Sequence, residues 1–263
     1  MKNEYEFEPI KKRRKKRIIP YMIMIICILS IVYNGTMIVI YIIDNKKLEK
    51  QTEELSSKIV LIDEKEDQEN KIYNNKKEIY EIDFKSLKEK NPDTVGFLKI
   101  NGTDIESIVV KGQDNSFYLS HSFDKEKNAA GWIFADFANK FDGTDKNIII
   151  YGHNMKNGTM FGTMKNILND EWFINEENRK ITFITEQEYN IYDVFSVYVI
   201  ESEDYYRKTE FVDNEFKEFI NVIKKRSKYD FQLDIYNSNQ ILTLSTCATN
   251  NKYRVVLHAV KEK

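Results

Sequence analysis

Residues 18 to 43 form a mostly apolar run of 26 positions without a charged side chain, whereas beyond residue 80 the apolar residues fall into short alternating runs. A helix over that first run reaches about 39 Å at ~1.5 Å per residue, more than the ~30 Å of a bilayer's hydrocarbon core. It therefore predicts a transmembrane helix, tilted or frayed at its ends. A cleaved signal would show an apolar region of about 7–15 residues closed by small side chains, and neither feature is present. Asn34, Gly35 and Thr36 interrupt the run and read as tolerated polar residues or as a helix–helix contact.

The pattern then changes. Over residues 44–75, rich in Lys, Glu, Asp and Asn, only Leu48, Leu55, Ile59 and Ile62 make a thin apolar stripe, which predicts a solvated helix or stalk rather than core. A short helix over 83–90 has an Asp cap and is stopped at Asn91-Pro92, because a residue before proline avoids helical backbone. Eight strand-like runs follow, at 95–100, 103–110 (after an Asn101-Gly102 turn), 131–135, 147–151, 180–185, 191–200, 240–245 and 253–260. Helical patterns are confined to 160–168 and to 214–226, where Phe216, Phe219, Ile220 and Ile223 share a face inside a long inter-strand connection. The prediction is one mainly β domain, a barrel or sandwich with short helices. The expected division is 1–17 basic tail, 18–43 membrane helix, 44–79 stalk and 80–263 globular domain.

Charge sets the direction of the helix. Eight Lys/Arg against three Glu in residues 1–17 leave a net +5 there, seven of the basic residues lying consecutively from Lys11 to Arg17. The bias places the N-terminus in the cytoplasm and the domain outside the cell, single-pass. Since the whole chain carries −2, everything after residue 17 carries −7, and a nucleic-acid partner is excluded for the domain. Of two cysteines, Cys27 lies in the apolar run, so Cys247 is the sole thiol of the outward part.

Cys247 ends the strand-like run Leu242-Thr243-Leu244-Ser245-Thr246 and precedes a turn-like Ala248-Thr249-Asn250-Asn251. His153 likewise follows a strand, Ile148 to Tyr151, and opens a loop, a usual address for catalytic side chains; His258 alternates within a strand instead. Antiparallel pairing of the two last strands brings Arg254 beside position 247. A nucleophilic thiol needs a cation that favours thiolate, donors for a developing oxyanion and a proton donor for the leaving amine, and Arg254 and His153 supply these types. Taken singly, such residues are more often a small buried hydrophobe, a satisfied loop histidine and a surface charge. With no close ligand pair such as C-x-x-C or H-x-x-x-H, neither metal nor cofactor is expected. His153 precedes Cys247 by 94 residues, opposite to the order in papain-like proteases.

Together, Thr243-Leu244-Ser245-Thr246-Cys247, Tyr151-Gly152-His153-Asn154 and Arg254-Val255-Val256 resemble, in order, the TLxTC, histidine and arginine motifs of the sortases, transpeptidases of Gram-positive surfaces, and the serine resembles class B. Asn91 to Leu98 is similar to the family's entry into its first strand, so the resemblance spans about residues 80 to 263. It implies an eight-stranded sortase-type β-barrel. It also implies Cys247 as nucleophile, His153 as acid/base and Arg254 as stabiliser of substrate and oxyanion, with Ser245, Asn115, Leu119, Tyr205 and Tyr206 along the peptide groove. The implied substrates are surface proteins with a C-terminal sorting signal of NPxTx type, cleaved after Thr. The implied acceptor is the amine of a lipid-linked peptidoglycan precursor. A pilin-polymerising sortase and a non-catalytic wall-binding module tethered to the membrane are the alternatives. Two departures stand out: residues 105–109 lack a Tyr-Pro pair, and the gap from Cys247 to Arg254 is shorter than in many class B members.

Overall fold

The computed structural model describes residues 18–62, 79–201, 203–235, 238–247 and 252–262, with the side chains of Ile62 and Cys247 outside that description. The chain divides into two compact units, Met1–Lys46 and Lys47–Lys263. Helix α1, Ile18–Ser56, is the one helix among the described residues long and apolar enough to cross a membrane. Within it the polar interruptions are absorbed locally: Asn34 Nδ2 donates to Ser30 O at 2.6 Å and Thr36 Oγ1 to Val32 O at 2.5 Å. Bonded back one turn, these two donors need no outside partner.

In the second unit the last turns of α1 depart from the sequence expectation. Leu48 and Leu55 are 1% and 4% exposed and belong to the domain's main apolar cluster, so this part of the stripe is core rather than solvated stalk. Strand β1, Ile59–Ile62, pairs antiparallel with β2, Ile79–Ile82, a hairpin the thin stripe concealed. Residues 63–78, between them, lie outside the described residues. Helix α2, Phe84–Lys90, follows the expected capping, with Asp83 Oδ1 accepting from Ser86 N at 3.0 Å. Its end is fixed by Asn91, fully buried, whose amide donates to the Tyr118 hydroxyl and Phe123 O.

The remaining eight strands close a barrel: β3 Thr94–Ile100, β4 Glu106–Val110, β5 Phe134–Ala135, β6 Asn147–Gly152, β7 Lys180–Ile184, β8 Tyr189–Glu201, β9 Ile241–Cys247 and β10 Tyr253–Lys261. Their order round the barrel is β10-β8-β7-β3-β4-β5-β6-β9. All neighbours are antiparallel except β4–β5 and β6–β9. Closure leaves the barrel itself without an open strand edge among the described residues. Alternation sorts each strand into two faces: Ile148, Ile150, Leu242, Leu244, Val255 and Leu257 join the interior, while Ile241 packs outside against helix α4, Glu215–Lys225. The predicted face of α4, Phe216, Phe219, Ile220 and Ile223, is the one buried there, each side chain worth roughly 1.5–3 kcal/mol.

Three runs are shorter than expected, for local reasons. In the β3–β4 connection Thr103 Oγ1 donates to Ile100 O and accepts from Ile105 N, so residues 101–105 are spent on the turn. Met160 has φ +54, which no helix continues through, and only Met164–Leu168 forms a 3-10 turn, followed by helix α3, Asp170–Ile174. Gly131, at φ +59, delays β5, and a Cβ there would sit 2.3 Å from Tyr118 O and 2.9 Å from Leu119 O. Gly131→Ala is therefore expected to lower unfolding free energy by about 2–4 kcal/mol in urea titrations, combining strained backbone with a clash against carbonyls that cannot yield. A loss under about 0.5 kcal/mol would refute this account of the turn.

Candidate active site

The parallel pair β6–β9 and the antiparallel pair β9–β10 lay three strands side by side. Gly152 stands opposite Thr246, and Arg254 opposite Cys247. Residue 153 is the first position beyond the end of β6 and 247 the last of β9, so 153, 247 and 254 lie in one row at the same end of three adjacent strands. At ~4.8 Å between strands the row spans roughly 10 Å. By alternation, 247 continues the series Ile241, Thr243, Ser245, and 254 the series Val256, His258, Val260, so the row belongs to the outer face that packs against the long connection from β8 to β9.

His153 is held from several sides. Its carbonyl accepts from Met155 N at 3.1 Å and Phe161 N at 2.9 Å, and its Nε2 lies 2.8 Å from Leu119 O. A carbonyl only accepts, so Nε2 carries the proton and Nδ1 is the nitrogen left for proton transfer. Leu119 closes the 3-10 turn Phe117–Leu119, whose start is capped by Asp114 Oδ1, accepting from Ser116 N, Ser116 Oγ and Phe117 N at 2.7–2.8 Å. Hydrogen bonds from the Ser116 side chain and then from the Ser116 and Phe117 amides hold the Asp114 carboxyl below the usual range. His121, stacked on Phe117 at 4.0 Å with Nδ1 at 2.8 Å from Phe117 O, staples the same turn.

The groove residues expected from sequence separate into an exposed pair, a buried pair and a loop residue. Leu119 and Tyr205 are each 41% exposed, Leu119 beside His153 and Tyr205 packed on Phe219 with Arg226 over its ring at 5.1 Å. Ser245 and Tyr206 are each 2% exposed, and their hydroxyls meet at 2.9 Å, so Tyr206 sits under the face rather than open on it. Asn115 is committed to its loop: Nδ2 donates to Asp136 Oδ2 at 2.9 Å and Oδ1 accepts from Phe137 N at 3.0 Å. Arg254 is half-buried, with Nη1 donating to Tyr253 O at 3.3 Å.

Two parts of the site went unread in the sequence. Asp136, 5% exposed, accepts from both Asn115 and the Tyr151 hydroxyl, the latter at 2.7 Å, tying the loop of residue 115 to β6 two positions before His153. Burial, then Asp136, pushes the Tyr151 phenol up, and the Arg207 guanidinium pulls the other way. The second part is His258, fully buried and bonded at both ring nitrogens, to Thr243 Oγ1 and the Tyr198 hydroxyl, each at 2.8 Å. Nothing in the local sequence separates Asp136 from the other loop carboxylates.

Residues 98–262 match the sortase domain family, more than half of the chain. Sortase B of Listeria monocytogenes is 36% identical over 174 residues, covering 65% of this chain and 69% of that protein. Sortase B of Staphylococcus aureus is 29% identical over 237 residues, covering 89% and 91%. The solved Staphylococcus aureus sortase B–substrate complex superposes with a TM-score of 0.63 at 30% identity, covering 68% of this chain and 84% of that one. The closed eight-stranded barrel, the strand-end row and these likenesses agree, and the chain belongs to the sortase family, in its class B.

Proposed function

We propose that this class B sortase, a cysteine transpeptidase that anchors surface proteins, works through Cys247, His153 and Arg254 on a C-terminal NPxTx-type sorting motif. The observation that carries the reading is the single row of positions 153, 247 and 254 on adjacent strand ends. The Cys247 thiolate, favoured by the guanidinium of Arg254, attacks the Thr carbonyl carbon of the motif, and the carbonyl electron pair moves to oxygen. Arg254 N–H groups stabilise that oxyanion. As the intermediate collapses, the C–N bond breaks, His153 Nδ1 gives its proton to the leaving amine, and a thioester remains on Cys247. The amine of a lipid-linked wall precursor then attacks the thioester and loses a proton to His153, and the thiolate departs.

Topology supports the same task. Helix α1 is the anchor, Lys11 to Arg17 keep the N-terminus cytoplasmic, and residues 80–263 work outside the cell beside their lipid-linked acceptor. The solved Staphylococcus aureus relative is a complex with its substrate, and the sorting-signal class rests on the resemblance of the three motifs. The test is to incubate the full chain in detergent micelles with a mixture of NPxTx-type peptides and no amine, then map adducts by mass. The expected adduct is the peptide's N-terminal fragment, ending at Thr, on Cys247 and not on Cys27. No adduct at Cys247 with any such peptide would overturn the reading.

A further inference from the structure

Below the row, on the same outer face, the protein buries a continuous chain of polar side chains. Asn147, Thr243 and His258 are each fully buried, and Tyr198 is 4% exposed. The direction of every bond follows from elementary chemistry. Thr243 has one hydroxyl proton and gives it to Asn147 Oδ1 at 2.6 Å, so at the 2.8 Å contact His258 Nδ1–H donates to Thr243 Oγ1. His258 Nε2 is then an acceptor, and the Tyr198 hydroxyl donates to it. At the other end Asn147 Nδ2 donates to Lys208 O at 2.9 Å and to Tyr206 O at 3.3 Å, which fixes the orientation of its amide.

Apolar side chains would fill this layer between sheet and connection at lower desolvation cost, whereas a fully satisfied polar chain accepts only one arrangement. What it holds is a particular segment. Tyr206 and Lys208 are pinned through their carbonyls, Tyr206 is pinned again through Ser245, and between them Arg207 stands exposed, its charge reaching Tyr151. Ser245 lies two positions from 247, and Tyr151 two from 153, so the pinned segment borders the row.

We propose that Asn147, Thr243 and His258 are positioning residues for peptide binding: their bonded chain fixes residues 205–208 as one wall of the groove beside Cys247. This rests on the reading of the row as the transpeptidase site. None of the three touches substrate, so cutting the chain loosens the wall while leaving the thiol and its partners in place. The effect falls on KM for the sorting peptide rather than on kcat.

The test uses the full chain in micelles with Thr243→Val, which keeps the shape and removes the hydroxyl, and Thr243→Ser, which restores it. Steady-state transfer of an NPxTx-type peptide is read alongside backbone hydrogen exchange. For Thr243→Val, KM is expected to rise about tenfold with kcat within about threefold, and exchange over residues 203–212 to quicken about tenfold while the barrel strands keep their protection. Thr243→Ser should stay within about twofold of the parent on both readouts. An unchanged KM and unchanged exchange, a fall in kcat at constant KM, or loosening spread evenly through the barrel would each overturn the proposal. Asn147→Leu cuts the same link from the other strand and decides the matter if Thr243→Val does not fold. Exchange needs no substrate, so a parent chain that turns over no peptide overturns the functional reading alone, and segment-limited exchange still decides whether these bonds anchor the wall.

Discussion

Cys247→Ala is expected to abolish peptide transfer, lowering kcat by about 10⁴-fold or more, because the variant can form no thioester and water or amine attack on an unactivated amide is very slow. Stability should hardly change, since residue 247 is the last position of β9 and its backbone bonds to β10 do not need the thiol. His153→Ala in the Cys247→Ala background should cost nothing further, as members of one catalytic unit fail together. If Arg254 has the role proposed above, Arg254→Lys should keep the charge and still lose about 10²-fold in kcat, because an ammonium lacks a planar fork of donors for the oxyanion. The measurement is initial-rate transfer by mass-resolved chromatography for all four proteins, with thermal melting as the control. Residual transfer above about one part in a hundred in Cys247→Ala would remove the cysteine from its assigned role.

Where the site was legible, the reason is local. The alternating run ending at Cys247 and its neighbour beginning near Arg254 specify an antiparallel pair with a short turn, and that pair alone fixes 254 opposite 247. The shorter gap noted between them still brings them into direct register. His153 is different: nothing in the run Ile148 to Gly152 tells which strand it will lie against. The β6–β9 pair is parallel and joins segments almost a hundred residues apart, so its register follows from barrel closure and not from any local pattern. The buried polar chain was illegible for the same reason, its members coming from four strands, and His258 gave only the signal of alternation. In the last turns of α1, tertiary burial outweighed composition: two leucines among many charges suffice when each finds the core.

The buried imidazole carries the second large effect, on stability against acid. Burial, with the nearby Arg226 guanidinium as the lesser cause, pushes His258 down to about 3. Its unfolded value is about 6.5, so between these limits the unfolded chain binds the extra proton and the folded chain does not. Stability is therefore full above about pH 6.5 and is lost as pH falls through 6.5 toward 3. At pH 5 the expected loss relative to pH 7.5 is about 2 kcal/mol, from ~1.4 kcal/mol for each unit below the unfolded value. The carboxyls of Glu54, Asp83, Asp114, Asp142, Asp170, Glu188 and Glu215 are held below the usual carboxylate range, so these seven contribute little above pH 5. Urea titrations at half-unit steps can follow this by tryptophan emission, because both tryptophans, Trp132 and Trp172, are buried in the barrel unit. His258→Asn keeps a donor for Thr243 but cannot titrate, so it should be weaker than the parent at pH 7.5 and lose about 2 kcal/mol less between pH 7.5 and 5. A parent that loses as little as the variant over that window would mean that His258 accepts a proton without unfolding. The Tyr198 hydroxyl would then have to turn and accept from Nε2–H, while Nδ1–H would still donate to Thr243 Oγ1 and Thr243 to Asn147 Oδ1.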